Sequence, residues 1–448
     1  MTPPADRTRS RARFVVLLPF LVLLLLLDIT MVPPVAHAPG FSRGDSIPFV
    51  PRIMDQIDPR ELLPLLRAGT LVLIHRAEEG VEFATGIVLI EAPLEDVWNT
   101  VVDYPSYGHY VPNIGQVQVV QKPAADIWHV KYQLRFKVLN MFSLSLRYLL
   151  EQHYIPTSEI WGIVPPGQES DLSDVRFREY FIDDGSGNTI FVYTAYADLR
   201  SYGYLAKVVY DAFPELATPT LVSVGTLFPE AVKERIERIR LNTRPERVRC
   251  DSVALPESLG GVSKDVLAAI PPHYRMILFH NPSPGGVRFA TGLARIDADI
   301  GTVSSLVKGY DAYPQFIPFI KSAMMTQRGG NRFSVKYTLT FRVIFPLDID
   351  YTLDYIAPSE NVLCWQLDKK EKHDIDGEWG RIELIPAGHA STLIAYTSYS
   401  HLASGGFFMK LLLKHIEGFD MGLRVAATDM VVSGYKRAAE RKAAGKQQ

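Results

Sequence analysis

Apolar and polar positions alternate without interruption between residues 130 and 138. Val130, Tyr132, Leu134, Phe136 and Val138 fall on one register, and Lys131, Gln133, Arg135 and Lys137 on the other. A period of two places these sets on opposite faces of a β-strand, one against an apolar interior and one against water. The pattern returns at Val335, Tyr337, Leu339, Phe341 and Val343, against Lys336, Thr338, Thr340 and Arg342. Further strands are predicted at Phe83–Ile90, Leu144–Tyr154, Glu159–Val164, Val175–Asp183 and Thr189–Leu199, with a hairpin turn at Asp184-Gly185-Ser186-Gly187-Asn188. Helical spacing takes over elsewhere. Val97, Trp98, Val101 and Val102 form an apolar stripe behind Pro93, Glu95 and Asp96, which suit a first helical turn. Phe419, Leu423, Ala426 and Met430 belong to a long helix predicted from about Phe407 to Arg441. The matching stretch of the first half carries Pro214, Pro219 and Pro229, which predicts a helix split into two or three pieces. A short helix is expected at Asp58-Pro59-Arg60-Glu61-Leu62-Leu63, with Asp58 as its cap.

These elements occur twice. Phe83-Ala84-Thr85-Gly86 recurs as Phe289-Ala290-Thr291-Gly292, an offset of 206 residues. Tyr104-Pro105-Ser106-Tyr107 meets Tyr310-Asp311-Ala312-Tyr313 at the same offset, and Tyr193-Thr194-Ala195-Tyr196 meets Tyr396-Thr397-Ser398-Tyr399 at 203. So small a drift marks two copies of one domain, and the period is too long for a solenoid. Each copy reads as strand, helix, short helix, a run of antiparallel strands and a closing helix. The fold class is therefore α+β: two tandem domains, each a curved antiparallel sheet of about seven strands wrapped around a long C-terminal helix. The expected boundaries are 1–38 for an N-terminal signal or anchor, 39–69 for a linker with a short helix, 70–240 for the first domain, 241–270 for a connector and 271–441 for the second domain.

Composition is that of a globular protein, 47% hydrophobic and 21% charged, with a net charge of −2. No basic stretch interleaved with aromatics invites nucleic acid. The first residues stand apart. Arg7, Arg9, Arg11 and Arg13 precede an apolar run from Phe14 to Leu27, and Ala36-His37-Ala38 follows. This reads as an export signal, or as an uncleaved membrane anchor over residues 14–32; both readings place the rest of the chain outside the cytoplasm, in the periplasm or its equivalent. Cys250 and Cys364 occupy non-equivalent positions and leave open one disulfide or two free thiols. No metal-ligating cluster, phosphate loop or nucleophile motif stands out, so no catalytic, metal or cofactor site is assigned.

The segment Ala92-Pro93-Leu94-Glu95-Asp96-Val97-Trp98-Asn99-Thr100-Val101-Val102-Asp103-Tyr104-Pro105-Ser106-Tyr107, continuing through Tyr110-Val111-Pro112-Asn113-Ile114, resembles the START-like, or SRPBCC helix-grip, superfamily. The nearest branch looks like the polyketide-cyclase and coenzyme-Q-binding families. The second copy keeps Val303, Val307, Tyr310, Tyr313, Phe316, Pro318 and Ile320, and departs from the pattern at Ser304 and Gly309. The resemblance implies a deep cavity between sheet and closing helix that takes a lipid, sterol, quinone or other hydrophobic molecule.

Candidate cavity residues follow from both lines. Tyr104, Tyr107, His109 and Tyr110 cluster in the turn after the first helix, Tyr310, Tyr313 and Phe316 stand for three of them in the second copy, and Trp98 on that helix joins the candidates. Aromatic bodies with polar tips suit the entry of an amphipathic ligand, and equally suit packing of the turn. Tyr132, Leu134, Phe136, Tyr337, Leu339 and Phe341 share the inward strand face, as lining or as plain core. Asp198 and His401 end the last strands, Arg135 and Arg342 point outward, and His75 and His280 match between copies. The favoured function is non-catalytic binding or transport of a hydrophobic ligand outside the cytoplasm, with membrane contact through the N-terminal segment if uncleaved. A cyclase or aromatase-type enzyme and a two-domain interaction platform remain as alternatives.

Overall fold

The computed structural model describes residues 55–241, 255–256 and 274–445, apart from 77–80, 139–141, 169, 199–200, 202–216, 283–286, 343–345, 389 and 402–418. The N-terminal basic and apolar segment, nearly all of the connector, Cys250, Pro214 and the expected helix start at Phe407 lie outside the described residues. Among the described residues, no helix is long and apolar enough to cross a membrane.

Asp58 accepts a hydrogen bond from the Arg60 N–H at 3.0 Å and opens a 3-10 turn over Pro59–Leu62, which runs into α1 (Leu63–Ala68). The first copy then runs β1 (Gly69–Arg76), β2 (Glu82–Ile90), α2 (Leu94–Val102), α3 (Tyr107–Tyr110), β3 (Ile114–Ala124), β4 (Ile127–Val138), β5 (Phe142–Ile155), β6 (Glu159–Ile163), β7 (Val175–Asp183), β8 (Thr189–Ala197) and the closing helix α4 (Ala217–Leu241). The second copy repeats the order: β9 (Arg275–His280), β10 (Ala290–Ile296), α5 (Ile300–Val307), a 3-10 turn at Tyr310–Gln315, β11 (Ile320–Gly329), β12 (Arg332–Arg342), β13 (Pro346–Ser359), β14 (Val362–Leu367), β15 (Gly377–Pro386), β16 (Thr392–His401) and α6 (Phe419–Gly445). In each copy the closing helix packs across the inner face of the sheet, α4 on β2 and β8, and α6 on β10 and β16.

The two sheets expected from the sequence are one. Sixteen antiparallel strands, eight from each copy, form a single sheet whose centre is the pairing of β9 with β1, from Gly69 opposite His280 to Ile74 opposite Arg275. These central strands are apolar on both faces, so they carry no period-two signal. Leu71, Leu73, Met276 and Leu278 face one side, under Leu62, Leu65 and Leu66 of the N-terminal helical turns. Val72, Ile74, Ile277 and Phe279 face the other, with Val222 of α4 and Val425 of α6. Each such side chain, fully buried, stabilises the join by about 1.5–3 kcal/mol.

Ion pairs cross the join as well. Glu230 of α4 meets Arg288 of the second copy through two hydrogen bonds of 2.9 and 3.0 Å, and Thr70 donates to the same carboxylate. Arg275 of β9 lies 3.3 Å from Glu82 of β2 and 3.0 Å from Asp429 of α6.

The first closing helix differs from expectation too. Over the described residues α4 is continuous, with Pro229 inside it. A proline there removes the bond to the carbonyl four residues back, that of Gly225. Gly225 and Pro229 both press on Gly86 of β2: a Cβ on Gly86 would lie 2.3 Å from the Gly225 carbonyl oxygen and 2.9 Å from the proline ring. Packing against the sheet holds the helix through the proline. Lys233 adds a bond from its Nζ to the Leu89 carbonyl at 2.9 Å, and Lys436 of α6 repeats it on Arg295 at 2.7 Å.

Candidate functional site

Along β15 the residues of the inward register are Glu378, Gly380, Ile382 and Leu384. The first of these is a carboxylate on an otherwise apolar face. Between it, β12, β13, β16 and α6 lies a cavity of about 90 Å³, bordered by Leu339, Tyr351, Glu378, Ser400, Leu423 and Arg424. Glu378 is 5% exposed. Trp365 Nε1 donates to its Oε1 at 3.2 Å, and the Ser400 hydroxyl donates to its Oε2. Burial drives its pKa up to about 7, against the pull of the Ser400 and Trp365 bonds and of the Arg424 charge. Arg424 lies on α6 with its guanidinium 4.4 Å from the centre of the Tyr399 ring, and its Nη1 donates to the Arg288 carbonyl at 3.3 Å. A cation, a carboxyl poised near neutrality and serine hydroxyls therefore share the wall of an otherwise apolar space.

The first copy is built differently. The position of Glu378, opposite Ser400, is taken there by Val175, opposite Ala197. Its own buried carboxyl on the inward register of β7 is Glu179, opposite Tyr193 where the second copy sets Ile382 opposite Tyr396. Glu179 is 4% exposed, its Oε2 has no hydrogen-bond partner among the described residues, and burial pushes its pKa well up. Around it the interior holds tyrosines. Tyr104 and Tyr154 donate to Gln152 Oε1 at 2.7 and 2.5 Å, and Gln152 Nε2 donates to the Tyr132 hydroxyl at 2.8 Å. Burial raises the pKa of Tyr104 and Tyr132 well above the ordinary tyrosine value.

A size exchange accompanies this difference. In the first copy Gly162 of β6 lies under the Phe177 ring of β7; in the second, Gly380 of β15 lies under the Trp365 ring of β14. The large ring has changed strands. Trp365 in its new place is the residue that donates to Glu378.

The residues expected at a cavity distribute as follows. Leu339 lines the cavity of the second copy. Tyr104 and Tyr132 enter the Gln152 network, while Trp98 is half-buried, edge-on to Phe181 at 5.1 Å. Tyr107 and Tyr313 are buried, and their hydroxyls donate to the Val101 and Val307 carbonyls, locking each turn to the end of the preceding helix. Tyr110 reaches the Thr100 carbonyl at 3.2 Å. Leu134 is half-buried opposite Ile114. Tyr310 packs on Phe333 and Tyr355, Phe316 on Tyr435, and the Tyr337 hydroxyl meets that of Tyr355 at 2.8 Å. The side chains of Phe136, Phe341 and Arg342 lie outside the described residues.

Other positions stand apart from the cavity. Arg135 is exposed, Asp198 is half-buried at the end of β8, and His401 sits 3.9 Å from Asp376. His75 packs between Phe83 and Tyr274. His280 bonds Thr291 at 2.7 Å, and burial together with Arg381 and Arg288 lowers its pKa to about 4. Cys364 is a free thiol. Glu179, Glu378 and Arg424 were not among the sequence candidates. The signal for both glutamates was present: each falls on the inward register of its alternating strand.

No family model matches the chain, and no curated protein matches it. Solved structures similar to it include the di-domain ARO/CYC StfQ from the steffimycin biosynthetic pathway, at 10% identity over 81% of this chain and 99% of that one, with a TM-score of 0.29. The Zhui aromatase/cyclase from Streptomyces sp. R1128 matches at 14% identity over 35% of this chain and 93% of its own, with a TM-score of 0.27. Human StAR-related lipid transfer protein 5 matches at 13% identity over 38% of this chain and 84% of its own, with a TM-score of 0.29. Similarity at this level carries no functional argument. The helix-grip arrangement itself is read from the strand order of each copy and the helix closing it.

Proposed function

We propose that the chain binds a hydrophobic small molecule, and that the second copy holds it while the first serves as support. The observation that carries this reading is the cavity between the sheet and α6, apolar over most of its wall and polar at Glu378, Ser400 and Arg424. A pocket of that character, apolar with a few convergent polar groups, is the usual form of a small-molecule site. Its volume is below the roughly 300–1,000 Å³ of a drug-sized site. A lipid, sterol or quinone would therefore need α6 to shift outward on binding. The first copy's interior holds the Gln152–tyrosine network, which suits the supporting role. Export or anchoring through residues 1–38 would set the site beside a membrane source of such molecules.

Native mass spectrometry of the chain, prepared without detergent and then solvent-extracted, tests the reading. A bound hydrophobic molecule is expected, lost in Ala427→Trp, which fills the cavity wall. A chain that is empty and takes up none of a panel of hydrophobic probes would leave the interaction-platform reading in its place.

One observation favours a second reading. A carboxyl with a pKa of about 7 facing a cavity is suited to move a proton at neutral pH, as a cyclase-type enzyme requires. Turnover of a supplied ligand, abolished in Glu378→Gln, would establish it over simple binding.

A further inference from the structure

Among the described residues, one cationic side chain, Arg424, borders the cavity of the second copy, and it sits on the helix that closes it. Arg424 is held in place by the Tyr399 ring below it and the Arg288 carbonyl beside it. Both of these belong to the second copy's own framework, so the guanidinium is positioned before any ligand arrives. The next turns of α6, at Ala427, Met430 and Val431, continue the wall as apolar surface, with Leu339 opposite on β12. Polarity therefore falls away from Arg424 along the helix.

We propose that this cavity selects an amphiphile with a single carboxylate head, seated against Arg424 with its hydrocarbon along Ala427, Met430 and Val431. The inference rests on the ligand-binding reading above and names the ligand class. A guanidinium in a partly dehydrated site favours a planar carboxylate over a neutral hydroxyl through charge-assisted hydrogen bonds. Met430 supplies an unbranched, adaptable side chain where the tail must find room.

Glu378 makes the binding proton-linked. It faces Arg424 from α6, Trp365 from β14, Ser400 and Tyr396 from β16, and Tyr351 from β13. Arg424 is the cation among these. Two carboxylates beside one guanidinium in a low-dielectric space repel, so the ligand's ionised head requires Glu378 to be neutral. With its pKa at about 7, the ligand is bound with uptake of a proton as pH rises through neutrality. The balance is simple: carboxylate plus proton in, neutral Glu378 and an ion-paired ligand as the result, with no bond to carbon changed.

Titration calorimetry of the full chain with octanoate and with octan-1-ol tests this. Octanoate is expected to bind more tightly than the alcohol at pH 6, and roughly tenfold more weakly at pH 8 than at pH 6, as linkage to one proton requires. The alcohol should show no such dependence. Glu378→Gln should keep octanoate binding and abolish its pH dependence; Arg424→Gln should bring octanoate down to the level of the alcohol. Equal binding of the two probes with no pH dependence would overturn the carboxylate inference and leave the binding reading intact. Binding of neither probe would also overturn the carboxylate inference, and the mass-spectrometric panel then decides the binding reading by itself.

Discussion

The Glu230 carboxylate of α4 grips the Arg288 guanidinium of the other copy with two parallel hydrogen bonds, at 2.9 and 3.0 Å. The closing helix of one copy is thereby fastened to the opening strands of the next. Burial works to raise the Glu230 pKa, but Arg288 and Thr70 outweigh it and hold the carboxyl below its ordinary value. A depressed carboxylate pKa contributes stability that is present above the unfolded value and lost as pH falls through the folded one. Glu230→Ala is expected to destabilise the protein by about 2–3 kcal/mol at neutral pH, since it strands a half-buried guanidinium. Chemical denaturation should also show the difference shrinking as pH drops below about 4.5, the ordinary value of this carboxyl. A constant difference down to strongly acidic pH would contradict the assigned pairing.

Glu378 shows the opposite sign. Its folded pKa is raised, so its neutral form is favoured in the native state. Stability is fully present below the unfolded pKa and is lost as pH climbs through about 7. Replacing it with glutamine keeps the shape and removes the charge. Glu378→Gln should be more stable than the parent at pH 8, by on the order of 3 kcal/mol at most, and the advantage should vanish below the ordinary carboxyl value of 4.5. Unfolding curves that stay parallel across this range would show that the carboxyl is not buried in its neutral form.

Equivalent glycines should not cost the same to replace. A Cβ on Gly86 meets the Gly225 carbonyl at 2.3 Å, which is backbone and cannot step aside. A Cβ on Gly292 meets methyl groups of Val432 and Thr428 at 2.6 and 2.9 Å. Methyl groups can turn or shift by a few tenths of an ångström. Gly86→Ala is expected to lose about 2–3 kcal/mol and Gly292→Ala about 1 kcal/mol, within the range for overpacked sites. Thermal unfolding of the two variants side by side decides it; a larger loss for Gly292→Ala would reverse the ranking.

The join between copies carries an acid–base asymmetry. Glu82 and Glu230 come from the first copy, while their partners Arg275 and Arg288 come from the second. Two first copies brought together would set glutamates without those arginines, so self-pairing is disfavoured. Residues 55–241 and 274–445 produced as separate chains are expected to combine one-to-one, through the otherwise open edges of β1 and β9. Size-exclusion chromatography with light scattering would reveal this. Two stable, separate monomers would mean the join contributes little.

Much of the fold could be read from residue order. The alternation of Val130, Tyr132 and Leu134 places them inward, and the Asp58-Pro59 pair opens its helical turn where expected. The join could not be read this way. Leu71-Val72-Leu73-Ile74 is apolar at every position because both faces are covered, and period-two reasoning has nothing to grip on such a run. Pro229 misled for a related reason, since local propensity yielded to packing on Gly86. At the site, comparing the copies drew attention to residues they share, such as Tyr107 and Tyr313, whose hydroxyls lock turns. The buried glutamates sit where the copies differ, Glu179 against Ile382 and Val175 against Glu378, so the repeat concealed them. The alternation within Phe177-Arg178-Glu179-Tyr180-Phe181 would have exposed the first as a carboxylate on an inward row.

The ring that moved between strands limits how this protein can be recombined. Gly162 with Phe177, and Trp365 with Gly380, each fill one shared space with one large and one absent side chain. Transplanting β6 of the first copy into the second without β7 would set glycine against glycine and open a void. The reciprocal graft would force tryptophan onto phenylalanine. The smallest interchangeable part is therefore the strand pair, and any chimera or ancestral reconstruction must inherit both strands from one parent.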